Sequence, residues 1–164
     1  MIADTDVRVF HVVSDEDVEI LRQIRNGTVE AGTYSHNNEI ISPEQQARWW
    51  AANWGTANAW YIEVDGEPAG FALLTLLPPE ILEDGLPRRI EASATTTAGV
   101  LPKFSGRGLA TRLMQLLEAS TGLPLAACAR LDNPVGMHLH RPEAGWYEVR
   151  RDEVNAYYRR EATT

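Results

Sequence analysis

Val100-Leu101-Pro102-Lys103-Phe104-Ser105-Gly106-Arg107-Gly108-Leu109-Ala110-Thr111-Arg112-Leu113-Met114 is the stretch on which the reading of the chain turns. Its first residues close a run with strand character. Its last residues open a helix, with Leu109, Leu113, Leu116 and Leu117 at helical spacing. Between them lies the turn Ser105-Gly106-Arg107-Gly108. Glycine carries no Cβ, so backbone at such a turn can come close to a ligand. The first N–H groups of a helix have no partner inside it, and with the helix dipole they attract phosphate. The unit reads as a pyrophosphate site on a strand–turn–helix, or more plainly as a helix cap with two glycines. It is not a P-loop, because no Gly-Lys-Ser/Thr follows, and the dinucleotide fingerprint lacks its third glycine.

Outward from this unit the chain alternates helical and extended patterns. Val7 to Val13 reads as a first strand. Ser14 is an N-cap signal, followed by Asp15, Glu16 and Asp17 where negative charge suits a helix start. Val18, Leu21, Ile24, Arg25 and Thr28 then run at helical spacing to Gly32. Ser42-Pro43-Glu44-Gln45 begins a second helix, with Pro at the first position and Gln45 closing a capping box. Ala59 to Val64 and Ala69 to Leu77 are strands joined by the hairpin signal Asp65-Gly66. Pro78 to Pro87 is a connector. Arg89 to Val100 is a strand with Glu91, Ser93, Thr95 and Thr97 alternating onto one face; that face is either solvated or lines a wet cleft. After the glycine turn comes a helix to about Ser120. Leu125 to Leu131 is an apolar run typical of a strand covered on both faces. Asn133-Pro134 starts a short helix with Val135, Leu139 and Met137 expected to face inward. Gly145-Trp146-Tyr147 ends this helix, and Glu148 to Arg151 turns into a last strand, Val154 to Tyr158.

The chain of 164 residues suits one domain, with 44% apolar and 23% charged residues. A net charge of −8 disfavours nonspecific binding of nucleic acid or anionic membranes. It is compatible with a cationic amine substrate, but surface acidity is more commonly a solubility device. The single cysteine, Cys128, sits in an apolar run and reads as a buried structural thiol. No apolar stretch of membrane-spanning length and no signal-peptide pattern is seen, so a cytoplasmic protein is expected.

The longer pattern Val-x-Pro, three residues, Gly-x-Gly-x-Ala, then Leu-Met resembles the acetyl-CoA motif of the GCN5-related N-acetyltransferase (GNAT) family. That family's core signature is Gln/Arg-x-x-Gly-x-Gly/Ala; here Ser105 stands at the first position. The order β-α-α-β-β-β-α-β-α-β-β is similar to the family from end to end. The resemblance implies an α/β fold with a mixed, mostly antiparallel sheet of about seven strands flanked by about four helices, as one domain over residues 1–164. It implies an acetyl-CoA-dependent N-acetyltransferase acting on a primary amine of a small molecule by direct attack in a ternary complex. A protein N-terminal or lysine acetyltransferase, or a non-catalytic acyl-CoA-binding protein, are the alternatives.

By that resemblance the cofactor would meet the backbone of Ala98 and Val100 and the loop and helix start from Ser105 through Gly106, Arg107, Gly108, Leu109, Ala110, Thr111 and Arg112. Lys103 is a further cation near the phosphates. A bulge at Gly99 would help the central strand splay from the next one. The family's closing motif, Asn-x-x-Ala-x-x-Leu-Tyr-x-x-x-Gly-Phe, is matched by Asn133 and Leu139, while His140 replaces the tyrosine that often protonates the leaving thiolate. His140 is therefore the candidate acid, although Pro142 should shorten the helix. Glu91 is the candidate base, with a partner for Arg88 or Arg89 as its simpler role. Tyr34 and His36 lie in the loop that covers the acceptor site in the family, and Ser93 and Thr95, with Thr97, could order water there. No metal site is expected. Trp49, Trp50 and Trp54 are more tryptophan than a short helix needs; two in the core is the plain reading, and a homodimer contact is the other.

Overall fold

The computed structural model describes residues 5–34, 39–77 and 93–162. The elements are β1 (Val7–His11), α1 (Asp15–Glu30), α2 (Pro43–Ala52), β2 (Ala57–Val64), β3 (Glu67–Leu77), β4 (Ser93–Val100), α3 (Leu109–Ala119), β5 (Leu125–Arg130), α4 (Pro134–Leu139), β6 (Trp146–Arg151) and β7 (Asn155–Arg160). The local signals set these boundaries. Ser14 and Asp17 form a capping box at the start of α1, and Ser42 and Gln45 form another at α2, whose first residue is Pro43. Asp65 and Gly66 both adopt positive φ (51° and 82°), as a two-residue hairpin loop requires.

The strands form one sheet in the order β1-β2-β3-β4-β5-β7-β6. Every neighbouring pair is antiparallel except β4 and β5. Because side chains alternate across a strand, β2 and β3 feed two cores. On one face Tyr61 and Phe71 pack with Val18, Leu21 and Ile24 of α1. On the other, Ile62, Ala72 and Leu74 pack with Leu113, Met114 and Leu117 of α3 and with Trp146. No helix among the described residues is long and apolar enough to cross a membrane.

Several expectations are corrected. Gly99 makes no bulge: the β3–β4 register runs unbroken from Leu77↔Ser93 to Gly70↔Val100. Its smallness serves packing instead, since a Cβ there would stand 2.8 Å from Phe71 Cε1 and 2.9 Å from Thr28 Cγ2. β5 is not covered on both faces; Leu125 and Ala129 are buried, while Ala126, Ala127 and Cys128 are only half-buried. Leu125, Ala127 and Ala129 share the face that packs on the α3-side core, while Ala126 and Cys128, on the opposite face, join neither core. Val135 is 64% exposed, and Met137 is the α4 residue that packs on the core. Of the three tryptophans only Trp50 packs against the core; Trp54 is 63% exposed.

Gly99→Ala should act as an overpacking substitution, because both neighbours are themselves held between sheet and α1. A loss of about 2 kcal/mol is expected. For a chain of this length that lowers the thermal midpoint by roughly 4–8 °C, measurable by circular dichroism.

Candidate functional site

The site is built around the place where β4 and β5 part. Their parallel pairing covers only Ala94↔Leu125 and Thr95↔Ala126. The direction of the β4 amides beyond that point follows from its two ends. Ala94 N–H donates to Pro124 O on the β5 side (2.9 Å), and Leu101 N–H donates to Ala69 O on the β3 side (2.8 Å). Successive N–H groups alternate between the two edges of a strand. Ala98 and Val100 therefore direct their N–H groups toward β5, where the ladder has ended. The result is a wedge with backbone donors along one wall.

The glycine loop stands at the end of that wall. Gly106 and Gly108 have φ of 78° and 76°, a region that side chains with a Cβ resist. A Cβ at either would meet nothing within 4 Å, so backbone conformation and not crowding calls for glycine. Gly108 is the N-cap of α3, and no side chain caps the helix. The first turn closes with Arg112 N–H to Gly108 O (3.1 Å), which leaves the amides of Leu109, Ala110 and Thr111 without helical partners. The Leu109 side chain is buried in the core and anchors the start of the helix. Ser105 turns its Oγ back to donate to Pro102 O (2.6 Å). Arg107 lies 5.5 Å from the centre of the Phe104 ring and is exposed, as are Thr111 and Arg112. Lys103 is paired with Glu67 (2.7 Å).

Asn133 and His140 are brought together by α4. Asn133 Oδ1 accepts from Gly136 N–H (3.2 Å), and Gly136 O accepts from His140 Nδ1–H (2.8 Å). The helix stops at Leu139, as Pro142 foretold, with His140 as its C-cap. His140 is 6% exposed, stacks on Tyr158 (ring centroids 5.0 Å) and meets the Trp146 ring edge-on (4.7 Å). Trp146 Nε1–H is held by Glu118 Oε1 (3.1 Å). These contacts give the ring a place as cap of α4 and as filler between Tyr158 and Trp146. A carbonyl can only accept, so the neutral ring carries its proton on Nδ1, and the buried Nε2 has no hydrogen-bond partner among the described residues. Burial disfavours the imidazolium and lowers the pKa below its ordinary value of 6.5, outweighing the Gly136 carbonyl and Glu118.

On the α1–α2 face lies a cavity of about 340 Å³, lined by Leu21, Arg25, Tyr34, Ile41, Gln45, Gln46, Trp49, Phe71 and Leu73. Tyr34, expected near an acceptor, lines it; its ring is 6.3 Å from Phe71 and 4.8 Å from the Arg25 guanidinium. Phe71 and Leu73 pair with Gly99 and Thr97 of β4, so the cavity floor adjoins the strand that carries the Ala98 amide. Thr95 is on the same face of β4, opposite Thr75, whose carbonyl its Oγ1 reaches at 3.4 Å; it does not line the cavity. Ser93 begins β4. Glu91 and His36 lie outside the described residues.

Sequence reasoning missed Arg25 and Trp49 as cavity walls. Arg25 carried a signal: a cation inside the apolar stripe of α1. It is 8% exposed and donates to Asn26 Oδ1 (3.0 Å) and Glu39 O (2.6 Å). Asn26 exchanges hydrogen bonds with the Ile41 backbone. The polar side of α1 thus fastens residues 39–41 over the cavity.

The sequence profile described as the Acetyltransferase (GNAT) family matches residues 23–146. No curated protein matches significantly by sequence. Solved structures share the fold at low identity. Salmonella typhimurium yncA with its cofactor acetyl-CoA is 15% identical, with TM-score 0.71 over 99% of this chain and 96% of that one. A GNAT superfamily phosphinothricin acetyltransferase from Sinorhizobium meliloti, in complex with acetyl-CoA, is 13% identical, with TM-score 0.69 over 95% and 88%. Ribosomal-protein-alanine N-acetyltransferase from Brucella melitensis is 19% identical, with TM-score 0.69 over 95% and 99%.

A buried neutral histidine makes stability depend on pH with a definite sign. The unfolded chain takes up His140's proton near pH 6.5 while the folded one resists, so its contribution is present above that pH and is lost as pH falls below it. His140→Phe should flatten the fall in urea midpoint between pH 7 and pH 5. Equal slopes for the two proteins would contradict this assignment.

Proposed function

Since the chain belongs to the GNAT acetyltransferase family, whose co-substrate is acetyl-CoA, we propose that it acetylates a primary amine of a small molecule by direct attack within a ternary complex. The observation that carries this reading is the early end of β4–β5 pairing beside the uncapped start of α3. A wedge lined by backbone donors can take the amide-bearing pantetheine arm. The amides of residues 109–111 supply an anion site for the pyrophosphate, with Arg107 and Arg112 as nearby cations. The cavity at Tyr34, Phe71 and Leu73 lies across β4 from the wedge's end and has the size of a small acceptor.

In the proposed reaction the acceptor nitrogen, as the free amine, attacks the thioester carbonyl carbon. The C–N bond forms, the C–S bond breaks, and the coenzyme leaves as thiolate. A β4 amide at Ala98 or Val100 would polarise the carbonyl as negative charge develops on its oxygen. Glu91, with Ser93 and Thr95 ordering water, is proposed to take the amine's proton. For His140, the candidate acid, the hydrogen bond of Nδ1–H to Gly136 O and its burial favour a structural part at the end of α4 over proton transfer, and Asn133 caps the start of that helix. The reading takes the protein to be one cytoplasmic domain, with neither nucleic acid nor membrane as partner, in keeping with its net negative charge. A homodimer contact would fall on the exposed Trp49 and Trp54.

Acetyl-CoA at a hundredfold excess over its dissociation constant should stabilise the protein by about 2.7 kcal/mol, roughly 5–10 °C in thermal midpoint. The shift should exceed that given by ADP. Absence of a shift would return the glycine loop to the role of a helix cap. Glu91→Gln should lower kcat/KM by about 10²–10⁴ and remove the rise of rate with pH; an unchanged pH–rate profile would dismiss Glu91 as the base.

A further inference from the structure

The cavity wall held least by apolar packing is α2, and one side chain of α1 fixes where that helix begins. Resting on the acetyltransferase reading above, we propose that Asn26 is a positioning residue for acceptor binding: its amide pins the backbone of Ile41, and with it the start of α2, to α1. Four of the nine lining residues (Ile41, Gln45, Gln46 and Trp49) lie on this segment and helix. Leu21 and Arg25 belong to α1, and Phe71 and Leu73 to β3. Those two elements share a core through Leu21, Ile24 and Phe71. α1 buries six residues and α3 four. α2 buries only Gln46, while Trp50 packs half-buried on the core. Apolar burial therefore leaves the N-terminal end of α2 to be placed by something else.

Asn26 supplies that placement, and the contact needs an amide. Its Nδ2–H donates to Ile41 O (2.9 Å), and its Oδ1 accepts from Ile41 N–H (3.1 Å). Two residues of an antiparallel ladder exchange bonds in this way; here a side-chain amide, with the same donor and acceptor, stands for one of the peptides. Asn26 is 7% exposed, so the pair forms where water competes little for it. Neighbouring side chains hold the same segment. Arg22, one turn earlier on the same face of α1, donates from Nη1 to Ile41 O (3.0 Å), and its Nε is held by Glu19 (2.8 Å). Arg25 Nη1 bonds both Asn26 Oδ1 (3.0 Å) and Glu39 O (2.6 Å). Ser42 follows Ile41 directly and caps α2 through its box with Gln45. A fixed Ile41 backbone thus fixes the first turn of α2, which carries the lining residues Gln45 and Gln46. Without the Asn26 pair, the ordering of this wall falls on the acceptor when it binds, which weakens binding. The wedge and the glycine loop, on other elements, keep their geometry.

Two variants separate the halves of the pair. Asn26→Leu keeps a side chain of similar size and removes both hydrogen bonds. Asn26→Asp keeps the acceptor for Ile41 N–H and removes the donor to Ile41 O. Amide hydrogen exchange reads the contact directly. In Asn26→Leu the amides of Ile41 and α2 should exchange about tenfold faster, while those of α3 keep their wild-type rates. For kinetics the acceptor is whichever of 2-phenylethylamine, n-pentylamine and 1,4-diaminobutane the wild type uses best, with acetyl-CoA saturating and free thiol measured. Its KM should rise about tenfold, kcat should stay within about threefold, and the acetyl-CoA thermal shift should be unchanged. Asn26→Asp should recover part of both effects, and it decides on the same readouts if Asn26→Leu does not fold. Unchanged exchange in α2, an unchanged KM, or a fall in kcat alone would overturn the inference and leave the acetyltransferase reading standing. Equal acceleration of exchange in α2 and α3 would overturn it too, since that marks a general loss of stability. If none of the three amines is turned over, the exchange data decide alone: acceleration confined to Ile41 and α2 supports the placement by Asn26, and its absence sinks it. The acetyltransferase reading is then judged separately, by the acetyl-CoA thermal shift.

Discussion

The parallel contact between β4 and β5 gives up after two residue pairs, and the rest of the site depends on that. A ladder continued to the end of β4 would consume the amides of Ala98 and Val100 and close the wedge. The early parting leaves donors facing an opening, with the glycine loop following the end of β4. The sheet tolerates this because each strand is held firmly from its other side. β4 is paired to β3 along its whole described length, and β5 is paired to β7 from Leu125 to Arg130.

The two faces of the sheet then take separate duties. The α3 face is a dense apolar core, and it carries the helix whose start presents the unpaired amides. The α1–α2 face is thinner. There the polar side of α1, through Arg22, Arg25 and Asn26, reaches the backbone of residues 39–41 and holds them above Phe71 and Leu73. Gly99 permits the close approach of α1 to β4 that brings these layers together. The wedge between β4 and β5 and the cavity on the α1–α2 face thus lie near one strand, β4, whose neighbour β3 supplies the cavity residues Phe71 and Leu73. The names of proteins of the same fold refer to acceptors as different as a ribosomal-protein alanine and phosphinothricin, so the fold by itself does not specify an acceptor.

His140 shows how packing places a motif residue. In the resembled pattern that place holds a tyrosine. Here Pro142 ends the helix early, the ring turns between Tyr158 and Trp146, and its proton is committed to Gly136 O. The imidazole then acts as a helix cap and a core filler, and burial keeps it neutral.

What was legible in the sequence was local. Capping boxes at Ser14 and Ser42, the Asp65-Gly66 hairpin and the positive-φ glycines at Gly106 and Gly108 depend on residues a few positions apart, so their chemistry is written in short stretches. The element order followed from these together with hydrophobic period, and the fold from the resemblance of that order and of the glycine-turn motif to the GNAT family. The tertiary structure alone decided that Arg25 of α1, Tyr34, Trp49 of α2 and Phe71 of β3 enclose one cavity, that Val135 and Trp54 face solvent, and that His140 is sealed. Each of these depends on which surfaces meet across the sheet, and a helical or strand period specifies a buried face without specifying what covers it. A polar or charged residue on such a face, as Arg25 was, announces only that some partner exists; packing determines whether that partner is backbone, solvent or substrate.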